Sequence, residues 1–294
     1  MSSRFSGLRL NKFFRPNHTK ALKYSFVICL LLIIPVSKPI AGQNSVSRIV
    51  STNVCIDTLL VSLIGTHDLL AVSSLSKDER FSTIAHRVKG LRTVNFEAES
   101  IYPLKPDIIF ASNFSSPRTR TALQKLGLRV ELINYARSTE DIAENIRKLG
   151  VFLGVEKKAE LLATSLEVES KEDAFRLHTA LQYSTDNYIH GRNSLITDVI
   201  TRSGFKVPDF VTNNLIGSFS SIEQVIFSDP DLLILDQRLA YNVSNTFYGY
   251  HKVLRSGHLR MRKEYVDTRL WSCGSQNILQ VINRLTTISK ELGG

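Results

Sequence analysis

The sequence predicts an α/β protein of two lobes with mainly parallel sheets, joined by one long α-helix. Three observations lead there. Glu99 opens ESIYPLKPDIIF and Glu223 opens EQVIFSDPDLLI; from Glu99 to Glu223, and from Pro106 to Pro230, the separation is 124 residues. Strand, loop and helix patterns alternate along the chain, as a parallel sheet covered by helices requires. The stretch from Glu156 to Leu177 holds neither proline nor glycine, so it reads as a stiff strut between the lobes.

The elements follow in order. RIVS from Arg48 is a strand, Thr52 to Ile56 a loop, and an amphipathic helix then runs through Leu63 to Gly65. LLAVSS is a second strand and SKDERFS a polar loop. In each repeat an amphipathic stretch ends at a proline, which drives its predecessor out of helical geometry. The apolar runs Ile108 to Phe110 and Leu232 to Leu235 read as strands buried on both faces. SNFSSPRT is a loop, TALQKLG a helix closed by Gly127, and LRVELIN a strand. Ser138, with Asp141 three residues on, caps a helix carrying Ile142, Ile146 and Leu149, broken at Gly150 and Gly154. A strand is expected around Leu181 to His190, then the helix NSLITDVITRSG. The second repeat, a helix near Val253, the strand KEYVDT and a helix from Gln276 to Ser289 complete two Rossmann-like lobes. Ligands of such sheets sit beyond the strands' carboxyl ends.

The first 42 residues differ in kind. They hold seven basic residues and no acidic one, an apolar run from Tyr24 to Val36, and small Ala41 and Gly42. That is a secretory signal, the run being shorter than the roughly 20 residues of a membrane span. Cys29 lies inside the run, so no lipoprotein cleavage box is seen. The domains expected are a signal peptide at 1–42, an N-terminal lobe at 43–138, a linking helical segment at 139–178 and a C-terminal lobe at 179–294. The chain carries a net +10, of which the leader supplies seven charges, so the basic balance is no argument for nucleic acid. The mature chain keeps Cys55 and Cys273. In an oxidising compartment they are candidates for a disulfide tying the start of one lobe to the end of the other. Two free thiols lining the cleft, or a soft-metal site, are the alternatives.

At this point RIVSTNVCIDTLLVSLI, ESIYPLKPDIIFAS, LGVEKKAELL, SIEQVIFSDPDLLIL and RLWSCGSQNILQVI, in that order, resemble the helix-linked (class III) periplasmic substrate-binding proteins. These serve ABC importers of ferric siderophores, haem and cobalamin. The resemblance implies a monomer in the periplasm that binds a small molecule between its lobes and docks on a permease and its ATPase subunits. It implies that Glu99 and Glu223 meet arginines of the permease. Pairing of Cys55 with the Trp271-Ser272-Cys273-Gly274 segment resembles an iron-complex and cobalamin subgroup.

Loops at strand ends supply the candidate ligand contacts: Asn53, Cys55, Leu75, Arg80, Ser112, Asn113, Phe114 and Arg118 in the first lobe. Tyr188, His190, Arg192, Phe219, Arg238 and Trp271 are those of the second. Rings mixed with arginines suit a bulky, partly apolar, negatively charged chelate. Leu75 and Ser112 stand where the cobalamin-binding members carry aromatics, which favours a ferric siderophore; Tyr188 or His190 could serve haem iron. No cofactor, no nucleic acid and no catalysis are expected, because the chain lacks a nucleophile elbow, a His-Glu-x-x-His motif and a P-loop. A bare Zn²⁺ or Mn²⁺ site would need several His and carboxylate ligands, and the six histidines of the mature chain are scattered.

Overall fold

A computed structural model describes residues 46–167, 178–184, 186–237, 254 and 259–293. The expected leader at 1–42, the helix near Val253, Arg238 and the far end of the expected linking helix lie outside the described residues. The first sheet holds β1 (Ile49–Ser51), β2 (Leu69–Ser73), β3 (Arg92–Val94), β4 (Ile108–Ser112) and β5 (Val130–Ile133). All are parallel, in the order β3-β2-β1-β4-β5. Around it lie α1 (Val54–Ile64), α2 (Ala98–Ile101), α3 (Pro117–Lys125), α4 (Thr139–Leu153) and α5 (Glu156–Thr164). The second sheet takes β6 (Ala180–Gln182), β9 (Leu232–Asp236) and β10 (Arg262–Val266), parallel in the order β10-β9-β6. Beside it β7 (Tyr188–His190) pairs antiparallel with β8 (Gly217–Phe219). Helices α6 (Leu195–Arg202), α7 (Asp209–Thr212), α8 (Ile222–Phe227) and α9 (Ile278–Gly293) belong to this half.

The repeat has a physical cause. Glu99 and Glu223 are each the second residue of a short helix, α2 and α8. Each helix is followed by a non-glycine residue at positive φ, Lys105 (47°) and Asp229 (37°), then by a buried proline. The residue before proline thus leaves the right-handed region for the left-handed one, which ends the turn. Asp107 Oδ2 accepts the N–H groups of Ser47 (3.3 Å) and Arg48 (3.2 Å), leading into β1. Asp231 Oδ2 accepts the Thr179 N–H (2.7 Å) and hydroxyl (3.0 Å), leading into β6. Each aspartate therefore pins the strand that pairs with its own.

Alternation along these strands assembles the cores. Ile108 and Phe110 of β4, and Leu232 and Ile234 of β9, face one shared cluster that also takes residues of α1, α4, α6 and α9. Ile109 and Ala111 face a cluster confined to the first lobe, and Leu233 and Leu235 one confined to the second. The lobes thus share apolar packing and do not hang from a bare tether.

Three expectations need correction. Gly150 does not break α4: the helix runs on to Leu153, and a side chain at 150 would collide with Ala159, so the glycine lets α5 pack closely. Gly154, at φ 67°, ends it. The helix expected from Glu156 stops at Thr164, and Ser165 and Leu166 form a turn. The strand expected around Leu181 to His190 is two, because Asn187 at φ 62° turns the chain between β6 and β7.

Asp57 sits in the core of the first lobe, its Oδ2 accepting the Ser73 N–H (2.8 Å) and the Ser76 hydroxyl (2.5 Å). Burial pushes its carboxyl up to about 6, against the pull of those hydrogen bonds. The folded state then holds a proton that the unfolded state, titrating at 3.8, has lost. Stability is therefore full below about pH 4 and falls as pH rises through 6, by about 3 kcal/mol at most for this group. Chemical denaturation of Asp57→Asn between pH 4 and 7 should lose that slope; a slope equal to the parent's would refute the assignment.

Candidate functional site

The order β3-β2-β1-β4-β5 reverses between β1 and β4, and a crevice opens where neighbouring connections leave in opposite directions. The residues there are Asn53, after β1, Ser112, which ends β4, and Asn113 and Phe114, which follow it. Asn53 Oδ1 accepts the N–H groups of Cys55 (2.9 Å) and Ile56 (3.3 Å), capping α1. Ser112 Oγ accepts the Phe114 N–H (3.2 Å) and Asn113 Oδ1 that of Tyr135 (3.2 Å). With their polar groups committed to backbone, these residues shape the site. A cavity of about 50 Å³ lies against Asn53 and Ser112, lined also by Ile133, Asn134, Tyr135, Asn145 and Gly274; Asn113 and Phe114 are not among its walls. Phe114, 72 % exposed, meets Tyr135 at 5.8 Å between ring centres.

The second lobe closes the floor. A disulfide joins Cys55 to Cys273, with Cα atoms 4.9 Å apart. Around it Arg269 Nη1 donates to the Glu79 carbonyl (2.8 Å), Gln276 Nε2 to the Ser62 hydroxyl (2.6 Å) and Asn277 Nδ2 to the Thr83 hydroxyl (2.9 Å). Gly274 lies so close that a Cβ there would stand 2.6 Å from that of Ala136. On another side Thr139 donates its N–H to Asp198 (2.9 Å), and Arg202 bridges Asp198 and Glu140.

Beyond the 134–138 loop an open pocket of about 390 Å³ lies between the start of α4 and the second lobe, with Arg137, Asp141, Arg192, Asn193, Thr197 and Asp198 on its walls. Asp198 is engaged by Thr139 and Arg202, and Asp141 by the Arg137 N–H (2.7 Å). Neither Arg137 nor Arg192 has an ion-pair partner among the described residues. Nearby in sequence, Tyr188 packs edge-on against His190 (5.1 Å) and Phe219 (5.6 Å), and Phe219 is 77 % exposed. Burial lowers the His190 pKa, leaving a neutral imidazole.

Other expected contacts fall elsewhere. Trp271 is not on a cleft wall: at 2 % exposure, just past the turn Thr268–Leu270, it is a residue of the core cluster shared by the two lobes. Arg80 is paired with Asp78 (2.6 Å), whose carboxyl it lowers to about 2, and lies over the Phe81 ring. Arg118 faces an outer groove of α3 with Pro117, Thr121 and Lys125. Leu75 is exposed, and so are Glu99 and Glu223. Tyr135 and Arg137 escaped the sequence reading, although their place just past β5 is the signal that selected the others. Among the described residues no group of three or more His, Cys, Asp or Glu is placed to hold a metal ion, and no helix is long and apolar enough to cross a membrane.

The profile of the family described as Periplasmic binding protein matches residues 49–238. The fold resembles the haem-binding protein RhuT from Roseiflexus sp. RS-1 (TM-score 0.66, 20 % identity, 83 % of this chain and 98 % of that one). It resembles the vitamin B12 binding protein BtuF of Vibrio cholerae as well (0.64, 18 %, 84 % and 97 %). A curated relative, the uncharacterized ABC transporter substrate-binding lipoprotein YvrC of Bacillus subtilis (strain 168), is 26 % identical over 104 residues, 34 % of this chain and 33 % of its own length. The chain therefore spans about a third of that relative.

Removing the disulfide tests its weight. Closing a loop of 218 residues stabilises by about 5 kcal/mol on the chain-entropy account. The double variant Cys55→Ser, Cys273→Ser should unfold with a free energy lower by about 3–5 kcal/mol, read by denaturant titration without reductant. An unchanged midpoint would contradict this.

Proposed function

Because this chain belongs to the periplasmic binding protein family, we propose that it is the substrate-binding component of an ABC importer. It is exported by its leader and captures a bulky iron complex, a ferric siderophore, for delivery to a permease and its ATPase subunits. What supports the ligand class is the presence of rings just past β4 and β5 and on the β7–β8 hairpin, together with two guanidinium groups on a pocket wall that have no ion-pair partner among the described residues. In this reading Phe114 with Tyr135, and Phe219 with Tyr188, two ring pairs in contact, give each lobe an apolar surface for the ligand. Arg137 and Arg192 supply positive charge in the interlobe pocket. Rings bind the ligand's apolar body, and guanidinium groups hold its carboxylates or catecholate oxygens in bidentate fashion. Leu75 and Ser112 leave the place where a corrin would stack without rings.

Haem is the second reading, favoured by the neutral His190 held against Tyr188, since haem iron takes His or Tyr as an axial ligand. Delivery rests on Glu99 and Glu223, exposed at matching places on the two lobes, which suit a partner with two related basic pockets.

Calorimetric titration with a ferric catecholate, a ferric hydroxamate, haemin and cyanocobalamin tests the reading. A ferric siderophore should bind one to one, and Arg137→Gln or Arg192→Gln should weaken it at least tenfold while the folding midpoint stays put. Haemin binding alone, abolished by His190→Ala, would replace siderophore by haem. Binding of none of the four would remove ligand capture. Glu99→Arg or Glu223→Arg should keep the titration unchanged and abolish uptake in cells; normal uptake would remove the docking role.

A further inference from the structure

Each of the duplicated helices has, at its end or just past it, an exposed ring: Phe227 is the last residue of α8 and Tyr102 follows the last residue of α2 in right-handed geometry. Residues three or four apart share one face of a helix. Tyr102 is three residues past Glu99, and Phe227 is four past Glu223. Tyr102 is 50 % exposed and Phe227 87 %, the latter the most exposed large apolar side chain among the described residues. The inward residues of the same turns, Ile101 and Val225, have no exposed surface. Both short helices are thus anchored from beneath and carry an exposed glutamate with an exposed ring three or four residues on.

A carboxylate next to a ring is a receptor for arginine, whose planar guanidinium pairs with the one and lies over the other. This chain contains such an arrangement internally. Arg80 is bound by Asp78 at 2.6 Å and stands 5.4 Å over the centre of the Phe81 ring, the acid and ring being three residues apart. Resting on the docking reading given above, we infer that each lobe meets the permease through an acid–aromatic couple, Glu99 with Tyr102 and Glu223 with Phe227, each gripping one arginine of the permease's periplasmic surface. The glutamates supply steering and charge, and the rings dry the contact, where a charge pair is worth more. The partner chemistry is specific: an arginine flanked by apolar side chains, presented twice, about as far apart as α2 and α8.

Photo-crosslinking in the native host tests this. p-Benzoylphenylalanine is placed singly by Phe227→p-benzoylphenylalanine, Tyr102→p-benzoylphenylalanine, Gln224→p-benzoylphenylalanine and, as an exposed control on α5, Leu161→p-benzoylphenylalanine. Adducts are identified by mass spectrometry. Positions 227, 102 and 224 should join to an ABC permease and position 161 should not. With the label at 224, adding Phe227→Ser should cut the adduct about tenfold and leave melting temperature and chelate binding unchanged. A permease adduct at 224 that is absent at 227 and 102, or that Phe227→Ser does not reduce, overturns the couple and leaves glutamate docking standing. No permease adduct at any of the three overturns both. An adduct at 227 with a second copy of this chain also overturns the couple, as does a permease adduct at 161.

Discussion

The segment 267–277, at the end of the second lobe but fastened to the first, is the constraint on which the arrangement rests. Its disulfide from Cys273 to Cys55 is flanked by side-chain bonds to Glu79, Ser62 and Thr83, spread over some 20 residues of the first lobe. Gly274 brings the backbone against Ala136 at a distance no other residue would permit. The shared core beneath, with Ile108, Phe110, Leu232 and Ile234 packed into one cluster, makes separation of the lobes an exposure of apolar surface. A hinge needs a few residues free to change φ and ψ, and among the described residues this segment is held by bonds along its length.

A binding protein so clasped reports its ligand differently from one that snaps shut. On the docking proposed above, α2 and α8 are expected to keep a nearly fixed spacing whether or not the crevice is filled. On that proposal, recognition of the loaded form would fall to exposed loop residues such as Phe114, Tyr135 and Phe219 rather than to large lobe rotation. The interlobe pocket with Arg137 and Arg192 lies where a modest shift would change its width without breaking the clasp.

Much of this was legible in the sequence, and the exceptions have physical reasons. The repeat could be read because its parts are local: a proline that ends a turn, an aspartate that receives neighbouring N–H groups, and an apolar strand buried on both faces. The cysteines could be paired only as one option among three, since nothing near either one says how residues 218 apart meet. Trp271 is a core residue for the same reason: its depth is set by its place in the cluster that both lobes share, long-range packing invisible in the local pattern. β3 was missed because it is an edge strand of three residues with two exposed. Gly150 looked like a helix breaker and is instead a packing site, a distinction that depends on Ala159 across a turn.

The fixed lobe spacing is measured most directly by pulsed electron–electron resonance. Nitroxides would be attached through unnatural residues at Arg118 on α3 and Gln224 on α8. The clasped structure predicts one narrow distance distribution, unchanged by saturating ferric chelate and broadened when Cys55 and Cys273 are both replaced by serine. A broad distribution in the disulfide-bonded chain that sharpens and shortens when chelate is added would contradict it.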